Sequence, residues 1–204
     1  MTTPGEFPFS VLIGRTEKKF AGRLPGGKKV YKDQDNWFCS GVLLNNQFVL
    51  TAGHCKTKDE TFKLRIGVHT LSKQILGAEQ KNSDDLPDLQ DFDIKSENFV
   101  THEYYNQTRE NRKTVITNDI ALVKLPRPAK FNQLAQPSCW RSQEPITIND
   151  KLVVVGWGKT SAYQVSKNIN GAFSNNQFKL EVIVMKHNQS SFHSYKFSRF
   201  HMLV

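Results

Sequence analysis

Two side chains in the sequence have the types and settings required for acid–base chemistry. His54 lies within Thr51–Cys55, and Asp119 lies within Asn118–Leu122. A neutral imidazole can take a proton from a hydroxyl group, and a carboxylate beside it can fix its tautomer and stabilise the imidazolium that forms. The two residues are therefore candidates for the base and the orienting carboxylate of a Ser-His-Asp mechanism.

The serine of such a mechanism has no recognisable setting in the 204 residues. Neither Gly-Asp-Ser-Gly-Gly nor Gly-x-Ser-x-Gly occurs. Six serines late in the chain are candidate substitutes, but none lies between glycines that would allow a tight, exposed nucleophile turn; they are Ser161, Ser174, Ser190, Ser191, Ser194 and Ser198. The sequence predicts a base and a carboxylate without their usual nucleophile.

Length and composition indicate a globular protein. The chain has 204 residues, of which 38% are hydrophobic, enough for one large domain or two small ones. Its longest apolar runs, Lys151–Trp157 and Val182–Met185, have the length of strands. They are far too short to cross a bilayer, so we expect no membrane span.

The chain is basic, with 28 Lys and Arg against 19 Asp and Glu and a net charge of +9. From Lys159 onward, the chain contains six basic residues and one acidic residue, Glu181. Such an excess would attract nucleic acid, heparin-like polymers or acidic lipid surfaces. These lysines are scattered, without arginine clusters or interleaved aromatic residues, and we therefore expect a solvated surface and no nucleic-acid partner.

The three cysteines lack metal-site spacing, because no Cys-x-x-Cys or His-x-x-x-His accompanies them, and we expect no metal and no cofactor. Cys39 opens one strand-like run and Cys55 follows the next, with a short turn at 45–47 between them, which would bring the two within disulfide reach. Cys139 is left over. In an oxidising compartment, an odd cysteine indicates a partner on another chain or on a segment outside this one.

Short apolar or alternating runs rich in Val, Ile, Phe and Thr recur between turn residues, which predicts an all-β sandwich or barrel. No long window has helical periodicity, so we expect helix only in a turn near His54 and at the end of the chain. The six candidate strands are Pro8–Ile13, Cys39–Leu44, Gln47–Ala52, Phe62–Val68, Phe92–Thr101 and Asp119–Leu125.

A long polar connection runs from Leu71 to Asp91. Aspartates can bind calcium, and this connection contains Asp84, Asp85, Asp88 and Asp91. Their spacing is irregular, however, and we therefore expect a solvated loop. Prolines at 126, 128 and 137 then mark a linker to a second unit with candidate strands Leu152–Trp157 and Phe178–Met185. Two strands cannot form a stable barrel alone, so the second unit looks incomplete.

Six segments, in order, resemble the trypsin-like (chymotrypsin-fold, S1) serine protease family, and within it the arthropod proteases of clotting and melanisation cascades. Two are the settings of His54 and Asp119; the others are Gly5–Phe9, Cys39–Leu44, Val155–Gly158 and Lys179–Val184. The resemblance covers roughly Thr3 to Lys186. Two departures are the absence of an Ile-Val-Gly-Gly start before Thr2 and Ser190 at a position where a cysteine is expected.

This resemblance implies two antiparallel Greek-key barrels with the active site between them. We expect residues 1–128 to form a complete first barrel and residues 129–204 a linker and an incomplete second barrel. His54 and Asp119 would be catalytic, Cys39 would pair with Cys55, and Cys139 would bind a light chain or propeptide.

The resemblance also implies protein or peptide substrates and an extracellular location, although the first residues do not form a signal peptide. The sequons at Asn106 and Asn188 are compatible with secretion and are possible glycosylation sites.

We weigh three interpretations. In the first, the chain is an incomplete trypsin-like endopeptidase, lacking the serine, the oxyanion donors and the specificity pocket, and is inactive as written. In the second, it is a non-catalytic protease homologue that binds and regulates a protease cascade. In the third, an open half-barrel exposes apolar strand faces and the product is poorly soluble when expressed alone.

Overall fold

The structure is a computed structural model that describes residues 1–71, 89–110, 113–139, 147–158, 176–183 and 202–203. Within these ranges the chain forms strands and short turns, so the predicted all-β class is confirmed. The strands are β1 (Ser10–Arg23), β2 (Lys29–Leu43), β3 (Phe48–Thr51), β4 (Thr61–Ile66), β5 (Gln90–Lys95), β6 (Phe99–Thr101), β7 (Asn106–Glu110), β8 (Lys113–Thr117), β9 (Ala121–Lys124), β10 (Lys151–Gly156), β11 (Phe178–Ile183) and β12 (Met202–Leu203).

Seven strands form a nearly closed antiparallel sheet in the order β5-β4-β1-β2-β3-β9-β6. Its two outer strands, β5 and β6, follow each other in the chain and are separated only by a 3₁₀ turn at Ser96–Asn98. Across the remaining gap, the rings of Phe62 and Phe99 lie 4.8 Å apart. The sheet therefore curls back on itself and encloses a core.

Alternation along the strands supplies that core. On β2, every second residue from Asp35 to Leu43 is buried, which is the period of a strand with one face inward. The inward side chains of the seven strands form one apolar cluster that includes Val11, Ile13, Leu43, Val49, Leu64, Phe92 and Val123. Burial of this cluster fixes the register, because a slip by one residue would turn each inward side chain to solvent.

The two long strands extend far beyond their predicted bounds. The first predicted strand ends at Ile13, whereas β1 continues to Arg23. The second predicted strand begins at Cys39, whereas β2 begins at Lys29. These outer halves pair with each other rather than with the core, so they carry no apolar alternation to reveal them. The hairpin of β7 and β8 was not predicted either, because its strands are mostly polar and show no apolar alternation.

Two other predicted segments differ in detail. The predicted strand Phe92–Thr101 is divided by the 3₁₀ turn into β5 and β6. The predicted loop ends earlier than expected, because β5 begins at Gln90 and includes Asp91. Asp84, Asp85 and Asp88 lie outside the described residues.

A second, three-stranded sheet has the order β11-β10-β12, and β12 was not predicted. It is joined to the first sheet by a buried apolar cluster in which Trp157, directly after β10, packs with Leu12 and Trp37 of the first sheet, and by several polar contacts. The indole Nε1 of Trp157 donates to the carbonyl of His69 at 3.1 Å, and the backbone N–H of Gln177 donates to the same carbonyl at 3.1 Å. The hydroxyl of Thr2 donates to the side-chain oxygen of Gln177 at 3.0 Å, which ties the start of the chain to the same junction.

A buried ionic cluster lies on the barrel wall. The Arg65 side chain is only 4% exposed and donates to both oxygens of Asp91, at 2.6 and 2.7 Å. It also faces Asp35 at 3.5 Å and lies over the ring of Trp37 at 4.9 Å. Lys63 completes the group at 3.1 Å from Asp35. Asp91, expected in a solvated loop, is instead a partner in this cluster.

Removing Arg65 is expected to destabilise the fold strongly, because it leaves the partly buried Asp91 carboxylate without its cation and the buried Asp35 carboxylate with Lys63 alone. We expect Arg65→Ala to lower the free energy of unfolding by about 3–5 kcal/mol. Lys18→Ala is the matched control, since Lys18 and Asp33 form an exposed ion pair that should contribute about 0–1 kcal/mol. Urea unfolding of the two variants measures the contrast, and equal losses would contradict it.

Candidate active site

His54 is placed by a 3₁₀ turn that follows β3 directly. The turn spans Gly53–Cys55, with both end residues buried, and the backbone N–H of Cys55 donates to the carbonyl of Ala52 at 3.1 Å. Cys55 is disulfide-bonded to Cys39 on β2, with a Cα–Cα distance of 5.9 Å. The turn is therefore held to the barrel on both sides of the imidazole. The turn predicted near His54 is confirmed.

Asp119 reaches His54 with both carboxylate oxygens. Oδ2 lies 2.8 Å from the imidazole Nδ1, and Oδ1 accepts the backbone N–H of His54 at 2.8 Å. The backbone contact fixes the carboxylate relative to the turn, and the side-chain contact fixes the imidazole relative to the carboxylate. With Nδ1 donating a proton to Asp119, the tautomer leaves Nε2 as the free acceptor.

The strand register explains how residues 65 positions apart in the chain meet. Strands β3 and β9 are neighbours, and Thr51 at the end of β3 pairs with Ala121 at the start of β9. His54 follows the first of these strands and Asp119 precedes the second. Both therefore leave the barrel at the same edge of the same strand pair.

Asn118 shapes the approach of Asp119 to the turn. Its backbone has φ of 51°, in the left-handed region that asparagine tolerates better than most residues. Its side-chain amide donates to the carbonyl of Tyr104 at 2.9 Å, and its own carbonyl accepts the backbone N–H of Ile120 at 2.8 Å. These bonds lock the loop so that the Asp119 carboxylate points toward His54.

The imidazole is accessible from one side. The side chains of His54 and Asp119 are 33% and 30% exposed. Nε2 lies 4.0 Å from the sulfur of Cys39 and 4.0 Å from that of Cys55. A ring nitrogen of His54 and the sulfurs of Cys39 and Cys55 all lie within 4.8 Å of one another, which is close enough to bind one metal ion. Both sulfurs are joined in the disulfide, however, so only the imidazole remains as a ligand, and proton transfer is the chemistry that the group can perform.

Tyr105 covers the other side of the turn and was not singled out by the sequence. A Cβ added at Gly53 would lie 2.7 Å from the Tyr105 ring, so only a glycine allows the ring to pack this closely. The Tyr105 hydroxyl donates to the side-chain oxygen of Gln107 at 3.2 Å. The packing of the Tyr105 ring therefore requires a glycine before His54, and the local sequence alone does not reveal this contact.

Gly53→Ala is expected to push the Tyr105 ring away from the turn and to lower the free energy of unfolding by about 1–3 kcal/mol. The double variant Gly53→Ala with Tyr105→Ala should recover part of this loss, because the ring that the new methyl group meets is gone. A double-mutant cycle by denaturant unfolding measures the coupling. Strictly additive losses would show that the ring is not the obstacle.

The phenol of Tyr105 gives the site a pH response. Burial raises the pKa of Tyr105, and the Asp119 carboxylate raises it further. The native state therefore favours the protonated phenol, so the free energy of unfolding should fall as pH rises past the ordinary tyrosine pKa of about 10. Asp119→Asn should lower the pKa of Tyr105 without returning it to the ordinary value. The ultraviolet difference titration of the wild type against Tyr105→Phe isolates this one phenol.

The remaining predicted site residues are dispersed. Cys139 is exposed and unpaired, and Asn106 is exposed at the start of β7. Asn188 and the six serines considered as nucleophiles lie outside the described residues. The structure thus brings together His54, Asp119 and the Cys39–Cys55 disulfide.

A strand barrel that carries an imidazole and a carboxylate at one edge belongs to a known class. The profile of the Trypsin family matches residues 2–182, and the chain therefore belongs to the trypsin-like (S1) serine protease family. The predicted family and its chymotrypsin-like double-barrel fold are confirmed.

Several individual proteins are similar to this chain. Phenoloxidase-activating factor 1 of Holotrichia diomphalia is 30% identical over 177 residues, covering 81% of this chain and 42% of the relative. The Spaetzle-processing enzyme of Drosophila melanogaster is 29% identical, covering 81% of this chain and 40% of the relative. The chain thus spans about two fifths of the length of these relatives.

Solved structures agree on the fold. The structure of GrC superimposes with a TM-score of 0.59 at 25% identity, covering 91% of this chain and 63% of GrC. Neuropsin, a serine protease expressed in the limbic system of mouse brain, gives a TM-score of 0.60 at 20% identity with the same coverage of both chains. Among the described residues, no helix has the length and hydrophobicity needed to span a membrane.

Proposed function

We propose that this sequence is the histidine- and aspartate-bearing part of a trypsin-like serine endopeptidase. The observation that supports this function is the double contact of Asp119 with His54 in a chain of the trypsin family. In that reaction a serine oxygen attacks the scissile carbonyl carbon, and its proton passes to Nε2 of His54. The imidazolium then gives the proton to the departing amine, while the Asp119 carboxylate holds the ring.

We further propose that the nucleophile lies outside the 204 residues and that the chain alone is inactive. No motif for a nucleophilic serine occurs in the sequence. Loss of a triad member lowers the rate by several powers of ten, and loss of an oxyanion donor by a further factor of about 100 to 1,000. In this proposal residues 1–128 form the first barrel, and residues 129–204 form the linker and part of the second.

Reading the gene and a full-length transcript past Val204 tests this proposal. We expect a downstream segment that encodes Gly-Asp-Ser-Gly-Gly in frame, and peptide hydrolysis by the protein that includes it. A stop codon directly after Val204, with no such segment, would contradict the proposal.

The same missing motif favours a second function, that of a non-catalytic homologue that binds a protease or zymogen and regulates a cascade. The two functions differ in a simple measurement. If the 204-residue chain is the whole product, it should be recovered from its source bound to a protease, and it should change that protease's rate without hydrolysing peptides itself. Recovery without a partner would exclude this second function.

We propose an extracellular location and a role in a proteolytic cascade of the kind used in innate immunity. The disulfide beside His54 supports an oxidising compartment, and the relatives include a phenoloxidase-activating factor and a Spaetzle-processing enzyme. In this proposal exposed Cys139 binds a light chain or propeptide, and exposed Asn106 carries a glycan. Non-reducing electrophoresis and glycosidase treatment of the native protein test both attachments.

A further inference from the structure

The outer halves of β1 and β2 form a two-stranded arm, defined here as Arg15–Asn36, that projects from the barrel. Strand β4 pairs with β1 only from Val11 to Gly14, and β3 pairs with β2 only at Val42 and Leu43. Within the described part of the chain, the strands of the arm therefore pair only with each other. Its base is tied to the barrel, because Asp35 pairs with Lys63 and Arg65, whereas no side chain from Lys18 to Asp33 is buried.

The tip of the arm is strongly cationic. Residues 18–32 include six Lys and Arg and no Asp or Glu. Arg23 and Lys29 lie directly opposite each other in the register, an arrangement that is destabilising for like charges. Arg23 donates to the carbonyl of Gly27, and neither Arg23 nor Lys29 forms an ion pair with a described residue.

An exposed aromatic pair adjoins these cations on the same face. Phe20 pairs with Tyr31, two residues along β2 from Lys29, and side chains two apart on a strand share a face. The two rings meet edge to face at 6.0 Å, yet Phe20 is 57% exposed and Tyr31 50% exposed. This face therefore presents an exposed apolar surface next to two cations, and these cations lack acidic partners among the described residues.

We propose that this face of the arm docks an acidic, apolar-containing segment of a partner polypeptide. Carboxylates of the partner would pair with Arg23 and Lys29, and an apolar side chain would cover Phe20 and Tyr31. The free backbone edge of the arm suits an extended segment, which adds to a sheet by main-chain hydrogen bonds. The aromatic pair favours a polypeptide over a sulfated polysaccharide, because a polysaccharide of that kind brings charge without an apolar side chain.

Binding of a synthetic peptide to the 204-residue chain tests the proposal without any need for catalysis. The probe is fluorescent Asp-Glu-Phe-Asp-Leu-Glu, followed by anisotropy. We expect Arg23→Gln with Lys29→Gln to weaken binding about tenfold. Phe20→Ser with Tyr31→Ser should weaken it about threefold or more. Lys124→Gln with Lys130→Gln removes the same charge from exposed sites outside the arm and should leave the affinity unchanged.

Several outcomes would overturn the proposal. Equal losses in the two charge variants would show a net-charge effect only. Heparin that binds as well to the Phe20→Ser, Tyr31→Ser variant as to the wild type, and displaces the peptide, would show a general polyanion surface. Unchanged peptide binding with increased aggregation of the arm variants would show that the cations only protect a strand edge.

A measurement on the wild type avoids dependence on the folding of the variants. Addition of the peptide should shift backbone amide NMR signals within 18–32 and leave those near His54 unchanged. Shifts confined to other parts of the chain would place the peptide elsewhere and refute the docking surface. Because this readout is independent of hydrolysis, its failure is distinguishable from failure of the proposed endopeptidase function.

Discussion

In the longer endopeptidase that we propose, replacing Asp119 with Asn is expected to lower kcat by about 10⁴-fold with little change in KM. An asparagine keeps the shape of the carboxylate but has one oxygen and one NH₂ group. If the oxygen accepts the backbone N–H of His54, the NH₂ group faces Nδ1, which can then no longer be the donor. The proton moves to Nε2, and the nitrogen needed as the base is blocked.

Asp93→Asn is the matched control for this prediction, because Asp93 is an exposed acid on β5 with no role in the site. It should leave kcat within about twofold of the wild type. The pH profile adds a second readout, since a tautomer defect should be relieved when hydroxide replaces the imidazole as the base. A variant at Asp119 that keeps normal kcat at neutral pH would contradict the role assigned to the carboxylate.

The second large effect is on stability. Replacing both Cys39 and Cys55 with Ser is expected to lower the free energy of unfolding by about 3 kcal/mol, the value for a loop of about 15 residues. The bond closes a separation of 16 residues and holds the turn of His54 to β2. Its removal should therefore also weaken the contact between His54 and Asp119. Denaturant unfolding under oxidising conditions measures the loss.

Cys139→Ser provides the control for the disulfide prediction, since this cysteine is exposed and unpaired within the described chain. Its stability should match that of the wild type. If the wild type lost no stability under reducing conditions, relative to oxidising ones, the disulfide would not support the fold as argued here.

The sequence predicted the meeting of His54 and Asp119 better than it predicted the surface around them. His54 and Asp119 each have a local setting that indicates their chemistry, and the apolar runs beside them mark β3 and β9. What the sequence could not state is the pairing of Thr51 with Ala121, because register depends on contacts between distant strands. The structure supplies that register and with it the 2.8 Å contact.

Segments that do not pack on the core were the ones missed. Between Lys18 and Asp33 the arm pairs strand to strand and buries no side chain, so its sequence lacks the period that marks a half-buried strand. Asp91 reads as part of a polar loop, yet a buried arginine on β4 makes it part of the barrel wall. In both cases a long-range partner, which local pattern does not encode, determines the outcome.

The central claim is that His54 and Asp119 form the base and carboxylate of a protease whose nucleophile lies outside the 204 residues. Covalent labelling with a serine-directed fluorophosphonate tests it most directly. We predict no labelling of the 204-residue chain, stoichiometric labelling of the protein that includes the downstream segment, and loss of that labelling in its His54→Ala variant. Stoichiometric labelling of the 204-residue chain itself, or labelling of the longer protein that does not depend on His54, would contradict the claim.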